Sequence, residues 1–317
     1  MTRQARRCAG PVLAAVSPAA ALAVAVTVAL TGCASSSGSS SAVSGSSRAV
    51  SGSSSAASAT KASVGALAPP PTKVTLPPVH ARFSYQIGGG YPVPAGVGVL
   101  DRDHGDLPDR SVYSICYVNA FQAQSDAVGW WGEHYPNLLL RRSSGSLIID
   151  EGWKEPLFDI STAARRTELL GVIGGWLDGC AARGFQAVEA DNLDSYTRSE
   201  GRLNVDDALA FGALLTARAH RDHLAIAQKN AAEVSVRAHR VGFDFAIAEE
   251  CQVYSECASY TAVYGAHVIE IEYTDDPHAA FTKACAVRGN TISIVLRDRD
   301  VTPAGDRHHV EQWCPGQ

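Results

Sequence analysis

Two stretches of the sequence concentrate carboxylates where apolar neighbours predict burial: Val188-Glu189-Ala190-Asp191-Asn192-Leu193-Asp194-Ser195-Tyr196 and Ala246-Ile247-Ala248-Glu249-Glu250-Cys251. If the apolar parts are strands, alternation puts Glu189 and Asp191 on one face, with Glu189 one layer deeper. Two carboxylates flanking a glycosidic bond supply what its hydrolysis needs. One protonates the leaving oxygen, and the other attacks the anomeric carbon or activates water. Taken singly, an acid more often pairs with Arg or Lys or caps a helix, as the position of Asp206 suggests, so the reading rests on the constellation.

The elements that must position these groups follow from the pattern around them. Phe83 to Ile87, Val97 to Leu100, Val112 to Val118, Phe185 to Val188, Leu224 to Ala227, Phe243 to Ala248, Ala266 to Ile271 and Thr291 to Leu296 read as strands, and Leu147 to Ile149 is a weaker ninth. Between them, Ser161 or Thr162 caps a helix with Leu169, Ile173, Trp176, Leu177 and Cys180 at three-four spacing and an exit at Gly184. Gly171, Gly174 and Gly175 count against it, each costing up to about 1 kcal/mol in a helix interior. Asn204 caps another, with Asp206 and Asp207 in its first turn. Such alternation means parallel strands covered by helices, in an open doubly wound sheet or a closed barrel. Asp101, Asn119, Asp191, Lys229, Glu249 and Glu272 each follow an apolar run. An open sheet would gather only the strand ends near its switch point, whereas a barrel gathers them all on one rim. The expectation is therefore a single α/β domain, a (β/α)8 TIM-type barrel. Gly88-Gly89-Gly90 leads into Tyr91-Pro92-Val93-Pro94 rather than a helix and reads as a turn, not a phosphate loop.

Cys116-Tyr117-Val118-Asn119-Ala120, the stretch from Gly184 to Tyr196, Gln228-Lys229-Asn230, and Ala246 to Cys251 with Cys257 resemble glycoside hydrolase family 114, in order and at similar spacing from about Phe83 to Cys314. The resemblance implies a (β/α)8 barrel with endo-α-1,4-polygalactosaminidase activity on galactosamine-containing polysaccharide. It places Asp191 and Glu249 on the catalytic pair, Asp191 as nucleophile or base and Glu249 as general acid. Glu272-Tyr273 matches a late-strand pair of the family. Ala190 replaces a usual Pro, Ala248 a common Asn and Glu250 a Gln; the last two put the substrate preference in question and leave room for a non-catalytic glycan binder. A barrel hydrolase for a neutral α-glycan is a further alternative.

Contacts to the sugar are then expected from Asp101, Asn119, Glu189, Asn192, Asp194, Tyr196, Lys229, Glu272 and Tyr273. Lys229 is expected to pair with a catalytic carboxylate and hold it ionised. Tyr85, Tyr196 and Tyr273 suit either stacking on pyranose faces or burial with a bonded hydroxyl. Trp130, Trp131 and Trp153, read as loop residues, suit a sugar platform or plain packing equally. No metal or cofactor is expected.

Charge agrees with a cationic sugar. All 32 acids lie at or beyond Asp101 together with 20 of the 27 basic residues, so the formal net charge of -5 hides a segment of net -12. That excludes a nucleic-acid binder, which needs a basic face. It suits deacetylated galactosamine, held at a mouth ringed by Asp101, Glu189, Asp191, Asp194, Glu249, Glu250 and Glu272.

Residues 1–33 read as an export signal, with Arg3, Arg6 and Arg7 ahead of an apolar stretch and a lipobox-like Leu30-Thr31-Gly32-Cys33. An uncleaved anchor is the alternative, but Pro18 splits the stretch below the roughly 20 apolar residues that a spanning helix needs. Cys33 is the expected lipid attachment point of an extracellular, membrane-anchored lipoprotein. Residues 34–80, Ser-rich and then Pro-rich, read as a flexible linker that stiffens toward the domain at 81–317. The six cysteines beyond it, Cys116, Cys180, Cys251, Cys257, Cys285 and Cys314, suggest up to three disulfides. Cys251 with Cys257 is the favoured pair, a zinc site being disfavoured by the ligand gap; the remaining pairings are open. The glycan and, through the N-terminal lipid, the membrane are the partners expected, and the protein a monomer.

Overall fold

The computed structural model describes residues 73–317. The expected export signal, Cys33 and most of the expected linker lie outside them. Among the described residues no helix is long and apolar enough to cross a membrane.

The chain runs β1 (Arg82–Gln86), β2 (Val97–Asp103), β3 (Tyr113–Asn119), α1 (Val128–His134), β4 (Ile149–Asp150), β5 (Glu155–Pro156), α2 (Ala163–Arg183), β6 (Ala187–Asp191) and α3 (Val205–Arg221). It continues through β7 (Ala225–Lys229), α4 (Ser235–Arg240), β8 (Phe245–Glu249), α5 (Cys251–Tyr254), α6 (Cys257–Tyr264), β9 (Val268–Tyr273), α7 (Ala279–Arg288), β10 (Ser293–Arg297) and β11 (Glu311–Trp313). Strands β1, β2, β3 and β6 to β10 pair in parallel in that order, forming the eight staves of a TIM-type barrel. The ninth apolar run contributes Ile149 to the short β4–β5 hairpin instead. The connections after β1 and β2 contain no helix.

The ladder does not close between β10 and β1. There β11 lies antiparallel on β10, and side chains span the seam. Trp313 Nε1 donates to the Phe83 carbonyl at 2.8 Å, Ser84 Oγ to Glu311 at 2.8 Å, and the fully buried Arg297 to the Tyr85 carbonyl.

Strand alternation sorts the core into two layers. Odd-numbered residues point inward: Phe83, Tyr85, Val99, Ile115, Ala187, Ala225, Ala227, Phe245, Ile247, Ile269, Ile271, Tyr273 and Val295 form one cluster. Alanines on β6 and β7 leave room for the large rings of β1 and β8, a size pairing that fills the barrel. Even-numbered Val118, Val188, Ile226, Ala246, Ala248 and Ile294 pack outward against the helices.

Helix ends follow local chemistry. Thr162 caps α2 by accepting from the Arg165 amide, and Gly184 leaves it at φ 98°, a left-handed conformation that costs glycine little. Asn204 and Asp207 form a capping box on α3. Trp130 and Trp131 lie on α1 rather than in a loop, and Trp131 is buried against Phe158 and Trp176. Three disulfides join Cys116 to Cys180, Cys251 to Cys257, and Cys285 to Cys314. They tie β3 to α2, α5 to α6, and α7 to the residue after β11. Glu270 lies close to the Cys251 and Cys257 sulfurs, but those sulfurs are bonded to each other and Glu270 pairs with Arg288.

Candidate active site

Polar groups replace the apolar inner layer at the C-terminal ends of the strands, and Lys229 stands at their centre. Its Nζ lies 2.5 Å from Glu189 Oε1, 3.2 Å from Asp191 Oδ1 and 3.5 Å from Glu249 Oε2. The side chains of Lys229 and Glu189 are 1% and 0% exposed, whereas those of Asp191 and Glu249 are 15% and 23% exposed. A substrate can therefore touch the second pair and not the first. Burial opposes the Lys229 charge, yet Asp191, Glu189 and Glu249 together hold its ammonium well above the usual lysine range.

Each reachable carboxylate has its own donors. Asp191 accepts from Tyr117 OH at 2.7 Å, from the Asn192 amide at 2.8 Å and from Asn192 Nδ2 at 3.2 Å. Glu249 accepts from Asn230 Nδ2 at 2.8 Å and from Tyr273 OH. Asn192, Asn230 and Glu250, the residues just after β6, β7 and β8, all have positive φ, which turns the chain sharply off each strand. Asn tolerates that conformation better than other L-residues, and both asparagines then bond the adjacent carboxylate.

The expected site residues divide clearly. Asp191, Glu249, Glu189, Lys229, Asn192 and Tyr273 meet around the ammonium. Asn119 joins them by accepting from Asn192 Nδ2 at 3.0 Å. Asp101 is on the same face but 0% exposed, beneath Glu189, and out of reach of a sugar. Asp194 is held by Arg198 at 2.8 Å, and Tyr196 donates to Glu233. Glu272 is not brought to the site. Its even position sends it outward, where it accepts from the Gln252 amide at 3.0 Å and burial pushes its carboxyl up to about 8. Tyr85 and Tyr273 are buried with bonded hydroxyls, so neither ring presents a face for stacking.

The acid ring is thus less negative than a count of its members suggests. Glu250 pairs with Arg299 at 2.8 Å, which also pairs with Asp275 and Asp276 and whose guanidinium lies over the Tyr273 ring. Ala248 is buried in the outer layer and faces away from the carboxylates.

Sequence reading missed Tyr117 and Asn230, although both lie in stretches that carry the resemblance. It also missed Glu155, which reaches the rim from the β4–β5 hairpin and accepts from Asn119 Nδ2 at 2.9 Å. Burial pushes the Glu155 carboxyl up to about 7. Trp153, 48% exposed, sits in the turn of that hairpin.

Beside Glu249 opens a cavity of about 240 Å³ lined by Asp194, Asn230, Glu233, Glu250 and Glu256 among others. A larger cleft of about 520 Å³, lined by Arg141, Arg165 and Arg202 among others, includes none of these carboxylates.

Comparison with known proteins agrees with this arrangement. The crystal structure of Aspergillus fumigatus Ega3 in complex with galactosamine superposes with a TM-score of 0.60 at 20% identity, covering 77% of this chain and 99% of that one. The glycoside hydrolase domain of PelA from Pseudomonas aeruginosa superposes with a TM-score of 0.51 at 13% identity, covering 72% and 96%. These likenesses show the fold. No curated protein matches the chain. The profile of glycoside-hydrolase family GH114 matches residues 65–317, most of the chain, and the protein, a glycosidase, belongs to that family.

Proposed function

We propose that the protein is an endo-α-1,4-polygalactosaminidase that works with retention, Asp191 acting as nucleophile and Glu249 as general acid and base. The observation that carries this reading is the position of Lys229 between the two. With Nζ 3.2 Å from one oxygen and 3.5 Å from the other, the nearest oxygens of Asp191 and Glu249 are separated by no more than the sum of those distances. That bound admits the roughly 5 to 5.5 Å between the carboxyl groups of retaining pairs, and the full separation of the two groups decides between retention and the roughly 6.5 to 9.5 Å of inversion.

In this mechanism Glu249 gives its proton to the leaving oxygen while Asp191 bonds to the anomeric carbon. Glu249 then takes a proton from the water that releases the sugar. Three hydrogen-bond donors and the closer ammonium suit Asp191 to the anionic role. The acid-lined cavity beside Glu249 suits a cationic sugar, and galactosamine is the ligand in the Ega3 structure.

Release of reducing ends from partly deacetylated α-1,4-polygalactosamine tests the reading. Asp191→Asn and Glu249→Gln are each expected to abolish it with the fold intact, and full activity in either would sink the assignment. Cleavage that survives N-acetylation of the polymer would favour a neutral glycan, and binding without release a non-catalytic module. Ala248 and Glu250, the departures that leave room for that module, face away from the pair and pair with Arg299, respectively.

Export and anchoring through Cys33 are part of the same proposal. Three disulfides accord with an oxidising compartment. Fatty-acid labelling that is lost in Cys33→Ser is the expected result, and labelling unchanged by that substitution would remove the anchor.

A further inference from the structure

The floor of the site has more buried acceptors than donors. The polar and titratable groups facing it are Tyr85 from β1, Asp101 from β2, Tyr117 from β3, Glu189 and Asp191 from β6, Lys229 from β7, Glu249 from β8 and Tyr273 from β9, while Arg297 of β10 turns to the seam, where it meets the Tyr85 carbonyl, Asp298 and Glu311. Every donor among them is committed. Tyr85 OH and Lys229 Nζ both reach Glu189 Oε1, Tyr117 serves Asp191, and Tyr273 serves Glu249. Three fully buried oxygens are left without a protein donor: both of Asp101 and Oε2 of Glu189. The two carboxyls lie within hydrogen-bonding reach of each other.

Two adjacent buried carboxylates, both ionised, would carry an electrostatic and desolvation cost that a shared proton removes. Glu189, with two donors on Oε1, is the group suited to keep the charge. Asp101, with none, is the group suited to hold the proton. Burial and the nearness of Glu189 both push the Asp101 carboxyl well above its usual range.

We infer that Asp101 is a resident neutral carboxylic acid that donates a hydrogen bond to Glu189 and so acts as a positioning residue for the Glu189–Lys229 pair. The proton makes Glu189 and Lys229 a balanced couple beneath the reacting groups. Without it, a second buried anion would compete with Asp191 and Glu249 for the single ammonium.

Infrared spectroscopy of the whole protein tests the protonation state and does not depend on the proposed activity. The difference spectrum of wild type minus Asp101→Asn at pH 7 should contain the carbonyl-stretch band of a protonated carboxylic acid. Only carboxylate bands, as for two ionised groups bridged by water, would overturn the inference. If Asp101→Asn does not fold, the same band is sought in wild-type protein with and without 13C-carboxyl aspartate; Glu272 and Glu155 contribute a component that does not shift, and the lack of any component that shifts on labelling would be equally fatal.

The kinetic arm rests on the polygalactosaminidase reading. Asp101→Ala should lose about tenfold or more in kcat, with KM little changed, because a buried acceptor is left unpaired. Asp101→Asn, which keeps a donor but cannot ionise, should recover most of that loss. Equal losses in the two variants would overturn the positioning role even where the infrared band is present.

Discussion

Replacing Lys229 with Met keeps the length and apolar stem of the side chain and removes the one charge that three carboxylates share. At an effective dielectric constant of about 20, a charge pair at the separations of Asp191 and Glu249 from Nζ is worth about 5 kcal/mol before desolvation. Breaking a buried pair by removing one partner has a net cost of about 3–5 kcal/mol, because the other charge stays behind. Urea denaturation at pH 7 should show that loss. The pH dependence has a definite sign. The Lys229 pKa is raised on folding, so its stabilisation is complete below the ordinary lysine pKa and is lost only as pH rises through the higher folded value. At neutral pH the wild type has the full contribution, whereas the variant should recover stability on acidification as its stranded carboxylates take up protons. On activity, loss of an opposite charge at this range should move the acid limb of the kcat/KM profile upward by about one to three pH units. Adding Glu189→Gln should restore much of the stability but not the activity, since the deepest stranded charge is then gone. An acid limb unmoved in Lys229→Met, with kcat/KM within about threefold of wild type, would refute Lys229 as counter-ion of the proposed catalytic pair.

Two further outcomes concern carboxyls whose burial raises their pKa. Glu272 binds its proton more tightly folded than unfolded, so its contribution is complete below about 4.5 and is lost as pH rises through about 8. Glu272→Gln should therefore gain stability at pH 9 relative to wild type, by an upper limit of about 5 kcal/mol at 1.36 kcal/mol per pH unit, and little at pH 4. Equal pH slopes of the urea midpoint for the two proteins would contradict this. Glu155 ionises near pH 7 and should then assist binding of a cationic polymer. The KM ratio of Glu155→Gln to wild type should rise about two- to fivefold between pH 6 and pH 8, as for a rim charge pair, and a flat ratio would exclude that role.

The staves were readable because their inner and outer faces are both buried, which makes each strand a continuous apolar run. Several runs were placed up to three residues early. The strands end in Asp191, Lys229 and Glu249, polar side chains that an apolarity criterion cuts off but the ladder keeps. Glu272 shows the limit of reading strand ends without their parity. The alternation that puts Glu189 and Asp191 on the inner face puts Tyr273 there and Glu272 outside. Glu155 left no signal, since its strand is two residues long and lies in an insertion whose path depends on backbone hydrogen bonds to the carbonyls of Phe121 and Leu138. Arg198, Arg299 and Lys229 reduce the charge of the mouth, and which acid each one meets is a matter of three-dimensional placement that composition does not carry. The pairings of Cys116 with Cys180 and Cys285 with Cys314 span 64 and 29 residues and were left open for the same reason.

The groups around the ammonium are borne mainly by strands held in the barrel's hydrogen-bonded ladder, while the surrounding walls are borne by loops, short helices and the short β4–β5 hairpin. Glu189, Asp191, Lys229, Glu249 and Tyr273 belong to the first set, and Glu155, Trp153, Glu233 and Glu256 to the second. On the proposed assignment, bond cleavage and substrate choice are therefore separable in heredity. Loop residues can change through insertion or substitution without shifting the backbone beneath the reacting atoms. A lineage carrying this barrel could alter the acetylation pattern or chain length it accepts in small steps, each leaving the cutting chemistry as it was.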